Sequence, residues 1–171
     1  TVFAGTDNGV YYSSLNGNTW NKFHNTDKVN CIAVNQSTVF YGTDDMIWWT
    51  SDYGSSGSGH GIGKCYSIST NGNSVFVGIS NGGIYNNGGI YKTSNNGLNW
   101  SSSYLDSNDV LSLTTFGDNI FAGTNRGGVY HSSNNGINWN KINEGFNSNA
   151  IPKITSLFIG NGYIFAGTEG Q

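Results

Sequence analysis

One short phrase returns five times along the chain and constrains its fold more than any other feature. It reads Phe3-Ala4-Gly5-Thr6, Phe40-Tyr41-Gly42-Thr43, Phe76-Val77-Gly78-Ile79, Phe121-Ala122-Gly123-Thr124 and Phe165-Ala166-Gly167-Thr168. The steps from Phe to Phe are 37, 36, 45 and 44 residues. A repeat of this length is one supersecondary unit that cannot bury its apolar faces alone and must stack on its neighbours.

Other phrases keep step with the first. Val29-Asn30-Cys31-Ile32, Cys65-Tyr66-Ser67-Ile68, Val110-Leu111-Ser112-Leu113 and Ile154-Thr155-Ser156-Leu157 each begin 11 residues before a Phe. Their alternation predicts a first strand. The Phe phrase, apolar on both faces, predicts a second strand sandwiched between neighbouring units. A third strand follows at Val10-Tyr11-Tyr12-Ser13, Ile47-Trp48-Trp49-Thr50, Ile90-Tyr91-Lys92-Thr93 and Val129-Tyr130-His131-Ser132. Alternation places Tyr11, Trp48, Tyr91 and Tyr130 in one environment and Tyr12, Trp49, Lys92 and His131 in the opposite one. A hairpin and a fourth strand close the unit. The clearest hairpins run Ser132-Ser133-Asn134-Asn135-Gly136-Ile137-Asn138-Trp139 and Thr93-Ser94-Asn95-Asn96-Gly97-Leu98-Asn99-Trp100. Earlier copies end at Trp20 or, beginning Thr50-Ser51-Asp52-Tyr53-Gly54, carry Gly57 where Trp would fall.

This hairpin resembles the Asp box, Ser/Thr-x-Asp-x-Gly-x-Thr-Trp. Its third residue bonds turn amides, its Gly takes positive φ and its Trp tucks under the turn. The resemblance spans nearly the whole chain. It assigns structural roles to Trp20, Asp52, Asn95, Gly97, Trp100, Asn134, Gly136 and Trp139, and implies that Trp20, Trp100 and Trp139 are largely buried. It implies an all-β fold: a β-propeller of four-stranded antiparallel blades of about 36–45 residues, part of a larger propeller. The expected divisions are a partial blade at 1–28, blades at 29–64, 65–109 and 110–153, and the start of another at 154–171. Asp boxes occur in sialidases, xyloglucan-degrading glycosidases, sortilin-like receptors, photosystem assembly factors and bacterial surface proteins, and this sequence looks most like the last group. Two segments depart from the repeat: Gly57 to Gly63, expected as a flexible loop, and Gly82 to Gly88, expected as an enlarged loop between second and third strands.

The residue inventory narrows the function. A single Arg, Arg126, among 7 Lys and Arg and a net charge of −3 offer no basic stripe for nucleic acid. The same single Arg cannot form the arginine triad implied for a sialidase. No apolar run is long enough to span a bilayer. His24, His60 and His131 show no metal-ligand spacing, so no metal or cofactor is expected. Cys31 and Cys65 do not suggest a disulfide: their equal parity relative to Phe40 and Phe76 would turn one toward its neighbour blade and the other away. The Asn/Ser/Gly/Tyr-rich composition resembles that of bacterial secreted and surface repeat proteins.

The expected function is a non-catalytic binding or scaffolding module of an extracellular or cell-surface bacterial protein, engaging protein or glycan together with further blades. The alternative is part of a glycoside-hydrolase propeller using paired carboxylates. Variable loops on a rigid scaffold are where binding residues concentrate. The loops between second and third strands and between blades gather Asp44, Asp45, Tyr85, Asn125 and Arg126, with His24, His60 and Asp106. Tyr85 and Arg126 are the expected anchors, and Trp49 is a further candidate platform or an inter-blade packing residue.

Overall fold

In a computed structural model of the chain, residues 1–24, 27–80, 88–105, 108–147 and 149–169 are described. Among them no helix forms; seventeen strands build five antiparallel sheets in sequence order. The first sheet holds β1 (Val2–Thr6), β2 (Gly9–Ser13) and β3 (Asn21–His24). The second holds β4 (Cys31–Asn35), β5 (Thr38–Gly42), β6 (Met46–Thr50) and β7 (Ser58–Gly61). The third holds β8 (Cys65–Asn71), β9 (Ser74–Ile79), β10 (Gly89–Thr93) and β11 (Ser101–Tyr104). The fourth holds β12 (Val110–Phe116), β13 (Asn119–Thr124), β14 (Val129–Ser132) and β15 (Asn140–Lys141). The fifth holds β16 (Lys153–Gly160) and β17 (Tyr163–Glu169).

Each sheet packs its face on the next. The second strands of the inner sheets, β5 and β9, are buried along their whole length, and β13 is buried in all but its first residue. One core joins the first two sheets through Val10, Val29, Val39 and Tyr41. The next joins the second and third through Phe40, Ile47, Cys65, Val75 and Val77. A further one joins the third and fourth through Phe76, Ile90, Val110, Ala122 and Tyr130. The third-strand alternation follows these cores: Trp48, Tyr91 and Tyr130 face the preceding sheet, while Trp49 and Lys92 face the following one.

The repeated Gly of the Phe phrase is a slot for the neighbour. A Cβ on Gly78 would stand 2.7 Å from both Cγ1 and the backbone oxygen of Val110. Gly5 receives Val29, Gly42 receives Cys65 and Gly123 receives Ile154 in the same way. These four knobs hold the first place in the four aligned first-strand phrases. The repeated Thr caps the turn that follows: Thr43 Oγ1 donates to Met46 O at 3.1 Å, and Thr124 Oγ1 donates to Gly128 O at 2.9 Å. Ile79 replaces that Thr in the third copy; residues 81–87, with Tyr85 and most of the expected enlarged loop, lie outside the described set.

Three of the hairpins between third and fourth strands share one bonding scheme; the hairpin of the first sheet, with Leu15 at the third place, keeps of it only the bond from the Gly17 amide to Ser13 Oγ. Asn134 Oδ1 accepts from Ser132 Oγ at 3.0 Å and from the Asn138 amide at 2.9 Å, while Ser132 Oγ accepts from the Gly136 amide at 2.9 Å. Thr93, Asn95 and Gly97 repeat it, as do Thr50, Asp52 and Gly54. Two successive residues at each tip have positive φ: Asn96 at 55° and Gly97 at 88°, Asn135 at 57° and Gly136 at 79°. That explains the Asn-Gly pairs, since those residues tolerate the left-handed region best.

Four expectations are corrected. Ser58–Gly61 is not a flexible loop but β7, paired in register with Met46–Trp49; its backbone completes the ladder without help from side chains. The hairpin Trp residues are covered unequally. Trp20 is 44% exposed, while Trp100 and Trp139 are half-buried, because each ring is covered by the preceding sheet and no described sheet precedes the first. His24 and His60 stand in fourth strands rather than in connectors. Cys31 and Cys65 do not point apart: both border the Gly42 slot. The reason is a bulge between Cys65 and Ser67 that breaks strand alternation, repeated between Val110 and Ser112 and between Ile154 and Ser156.

Candidate functional site

The turns between second and third strands meet the connectors on one face. Asp44 accepts a hydrogen bond from Asn30 Nδ2 at 2.8 Å and pairs with Lys64 at 3.1 Å; these partners lower its pKa. Asp45 uses its backbone oxygen for the amides of Ile62 and Gly63 and leaves its side chain exposed. In the fourth sheet Asn125 bonds Asp109 through both its amide and its side chain, at 3.0 and 3.2 Å. Arg126 is exposed beside it. The structure thus groups Asp44 with Asp45, and Asn125 with Arg126, in separate loops. Tyr85 and Asp106 lie outside the described residues.

Trp49 stacks on Phe40, meets Trp100 at 5.8 Å and supports Gly97 of the next hairpin. Its ring is therefore part of the interface between sheets, and it also borders an open groove of about 430 Å³ with Ser51, Ser56 and Asn95.

A second recess was not anticipated from sequence. His24 is opposite Val10 in the ladder, His60 opposite Ile47 and Ser103 opposite Ile90, so the three hold equivalent fourth-strand places. His24 packs on Trp48 at 5.7 Å and bonds the Tyr41 hydroxyl at 2.9 Å. Burial pushes the Tyr41 pKa up to about 12. His60 lies parallel to Trp100, at 3° and 6.4 Å, and edge-on to Tyr91 at 6.2 Å. Both imidazoles fill the gap before the next sheet's aromatic pair. In the third sheet Ser103 is too short to do so; its hydroxyl instead donates to Gly136 O at 3.1 Å. What remains is an open cleft of about 620 Å³ on the outer rim, bordered by Ser102, Ser103, Tyr130, Trp139, Asn140 and Lys141. Trp139 is fixed there by its own Nε1–H donating to Gly136 O at 3.2 Å. Lys141 Nζ lies 5.5 Å from the centre of the Tyr130 ring. The only sequence signal is the change from His to Ser, legible once the register is known.

Among the described residues no three His, Cys, Asp or Glu side chains gather as metal ligands. Among the described residues no helix is long and apolar enough to cross a membrane.

No protein-family model matches the sequence, and no curated protein matches it. Solved structures do match. The chain superposes on an ancestral GH74 enzyme with a TM-score of 0.72 and 24% identity, over 84% of this chain and 22% of the other. It superposes on the extracellular domain of BT4673 from B. thetaiotaomicron with a TM-score of 0.76 and 16% identity, over 98% of this chain and 24% of the other. It superposes on YCF48 bound to D1 peptide with a TM-score of 0.65 and 18% identity, over 95% of this chain and 54% of the other. The chain spans less than a quarter of the first two structures and about half of the third. At these identities the likeness concerns architecture, and with the five successive sheets it gives the conclusion: the chain has a β-propeller fold, an arc in which each four-stranded sheet is a blade.

Proposed function

We propose that this chain is a non-catalytic binding module made of Asp-box blades, part of a larger propeller in an extracellular or cell-surface bacterial protein, and that it engages a glycan or protein ligand. The observation that carries this reading is the rim cleft between the third and fourth blades. A fixed, half-buried indole backed by the buried Tyr130 ring, with hydroxyls, an amide and one ammonium group around it, suits a polyhydroxylated ligand, which stacks on the indole and exchanges hydrogen bonds with short polar side chains. Four of the carboxylates have local partners: Asp44 with Lys64 and Asn30, Asp52 in its hairpin, Asp109 with Asn125, Glu169 with Lys153. The connector face with Arg126 and Asn125 is the second surface open to a partner.

The test is to plug the cleft as the other blades plug theirs. Ser103→His should place an imidazole against Trp139 and Tyr130. Titration with a panel of neutral and acidic oligosaccharides, xyloglucan fragments included, should show binding by the parent and a loss of tenfold or more in the variant, with the melting temperature kept. Unchanged binding would remove the cleft from consideration. Release of reducing ends from any of the same oligosaccharides would overturn the non-catalytic reading.

A further inference from the structure

Cys31 and Cys65 are the only cysteines of the chain, and the fold brings them from successive blades to one recess. A Cβ built on Gly42 would stand 2.7 Å from Cys31 Sγ and 3.0 Å from Cys65 Sγ. Cys31 sits opposite Gly42 in its own ladder, and Cys65 is the knob that the third blade inserts over that glycine. At the next two interfaces the same two positions carry Ser67 with Val110 and Ser112 with Ile154, and at the first the inserted residue is Val29. Only between the second and third blades are both positions cysteine. Both thiols are free in this structure, with Cys65 buried and Cys31 partly accessible.

We propose that Cys31 and Cys65 form an oxidative cross-linking site that joins the second blade to the third. A disulfide needs a sulfur separation of about 2 Å, and a glycine with no side chain leaves room for the sulfurs to close. The oxidant is a low-molecular-weight disulfide. The accessible Cys31 thiolate attacks one sulfur of it, forming a mixed disulfide and releasing one thiolate. The Cys65 thiolate then attacks Cys31 Sγ and displaces the second thiolate. Two protein thiols are oxidised and one small disulfide is reduced to two thiols, each taking up a proton. Burial pushes the pKa of both cysteines up, that of Cys31 to about 12. Exchange on the folded chain is therefore slow, and the bond forms chiefly as the blades assemble. This inference does not depend on the ligand of the rim cleft.

The full chain should be refolded in a mixture of reduced and oxidised glutathione, alkylated and cut with trypsin without reduction. Cleavage after Lys28, Lys64 and Lys92 should yield peptides 29–64 and 65–92 joined, with the mass of two hydrogens missing. The oxidised protein should melt roughly 5–15 °C above the reduced one, a rise lost on adding reductant. Cys65→Ser should fold, give no joined peptide and show no oxidation-dependent rise. Two free thiols after refolding, glutathione on each cysteine, or links only between different molecules would each overturn the proposal.

Discussion

At the residue scale, much of the sequence constraint comes from what a position must leave empty. Gly78 lies under both Cγ1 and the backbone oxygen of Val110 at 2.7 Å. The oxygen cannot rotate away, so Gly78→Ala should destabilise the chain by about 1–3 kcal/mol. Gly61→Ala, where a Cβ meets nothing within 4 Å, should stay within about 0.5 kcal/mol; thermal denaturation of the two variants compares them directly. A different constraint acts at Asp52. Hydrogen bonds from Ser56 Oγ, the Ser56 amide and Thr50 Oγ1 lower its pKa to about 2. Since the folded value is depressed, its contribution is fully present above the unfolded carboxylate value of about 3.9 and is lost as pH falls through about 2. Asn95 and Asn134 fill the same place without charge. Asp52→Asn should therefore leave the melting temperature at pH 7 nearly unchanged and flatten its decline between about pH 4 and 2. A decline as steep as the parent's would mean that other carboxylates govern acid unfolding.

At the element scale, the hairpin tryptophans are unequal because each one's cover is supplied by a different sheet. Truncating a fully buried Trp costs about 3–5 kcal/mol. Half-buried Trp139 should lose about 2–3 kcal/mol as Ala, and Trp20, at 44% exposure, under about 1 kcal/mol, as read by denaturant titration. Equal losses would show that the hairpin, not the interface, sets their worth. This difference also marks how far the sequence could be read. The first-strand phrases, the Phe phrase, the third-strand alternation and the hairpin pattern together point to every described strand but Ser58–Gly61, because their side chains report period and turn chemistry. Ser58–Gly61 escaped notice since it pairs through its backbone alone, with two glycines and a serine among its four residues. The cysteine geometry escaped because a bulge changes parity without leaving a signature in side-chain type. The rim cleft escaped because it arises from the shortness of Ser103, a residue unremarkable until His24 and His60 are seen at the same register.

At the scale of the whole molecule, five sheets follow one another and the faces at the two ends of the series are unlike. The fifth sheet shows Phe158 at 66%, Tyr163 at 69% and Phe165 at 56% exposure. Contiguous apolar surface of this kind promotes association. The 171-residue chain studied by itself should associate in a concentration-dependent way in sedimentation velocity, and Phe158→Ser together with Phe165→Ser should reduce that association. A monomer at all concentrations would show that the face is tolerated in water. The Gly slot gives the series a further property. Every described interface puts a hole on the earlier blade and a knob on the later one: Gly5 with Val29, Gly42 with Cys65, Gly78 with Val110, Gly123 with Ile154. The stack therefore has a polarity, like a row of cups each seated in the one before. Like ends do not match, so a mirror-wise meeting of two copies at the fifth blade brings together two Gly167 holes and no knob. Growth that reuses this contact is heterologous, and such contacts either close into a ring or wind on as a spiral; which of the two results depends only on the small rotation that each knob fixes in its hole.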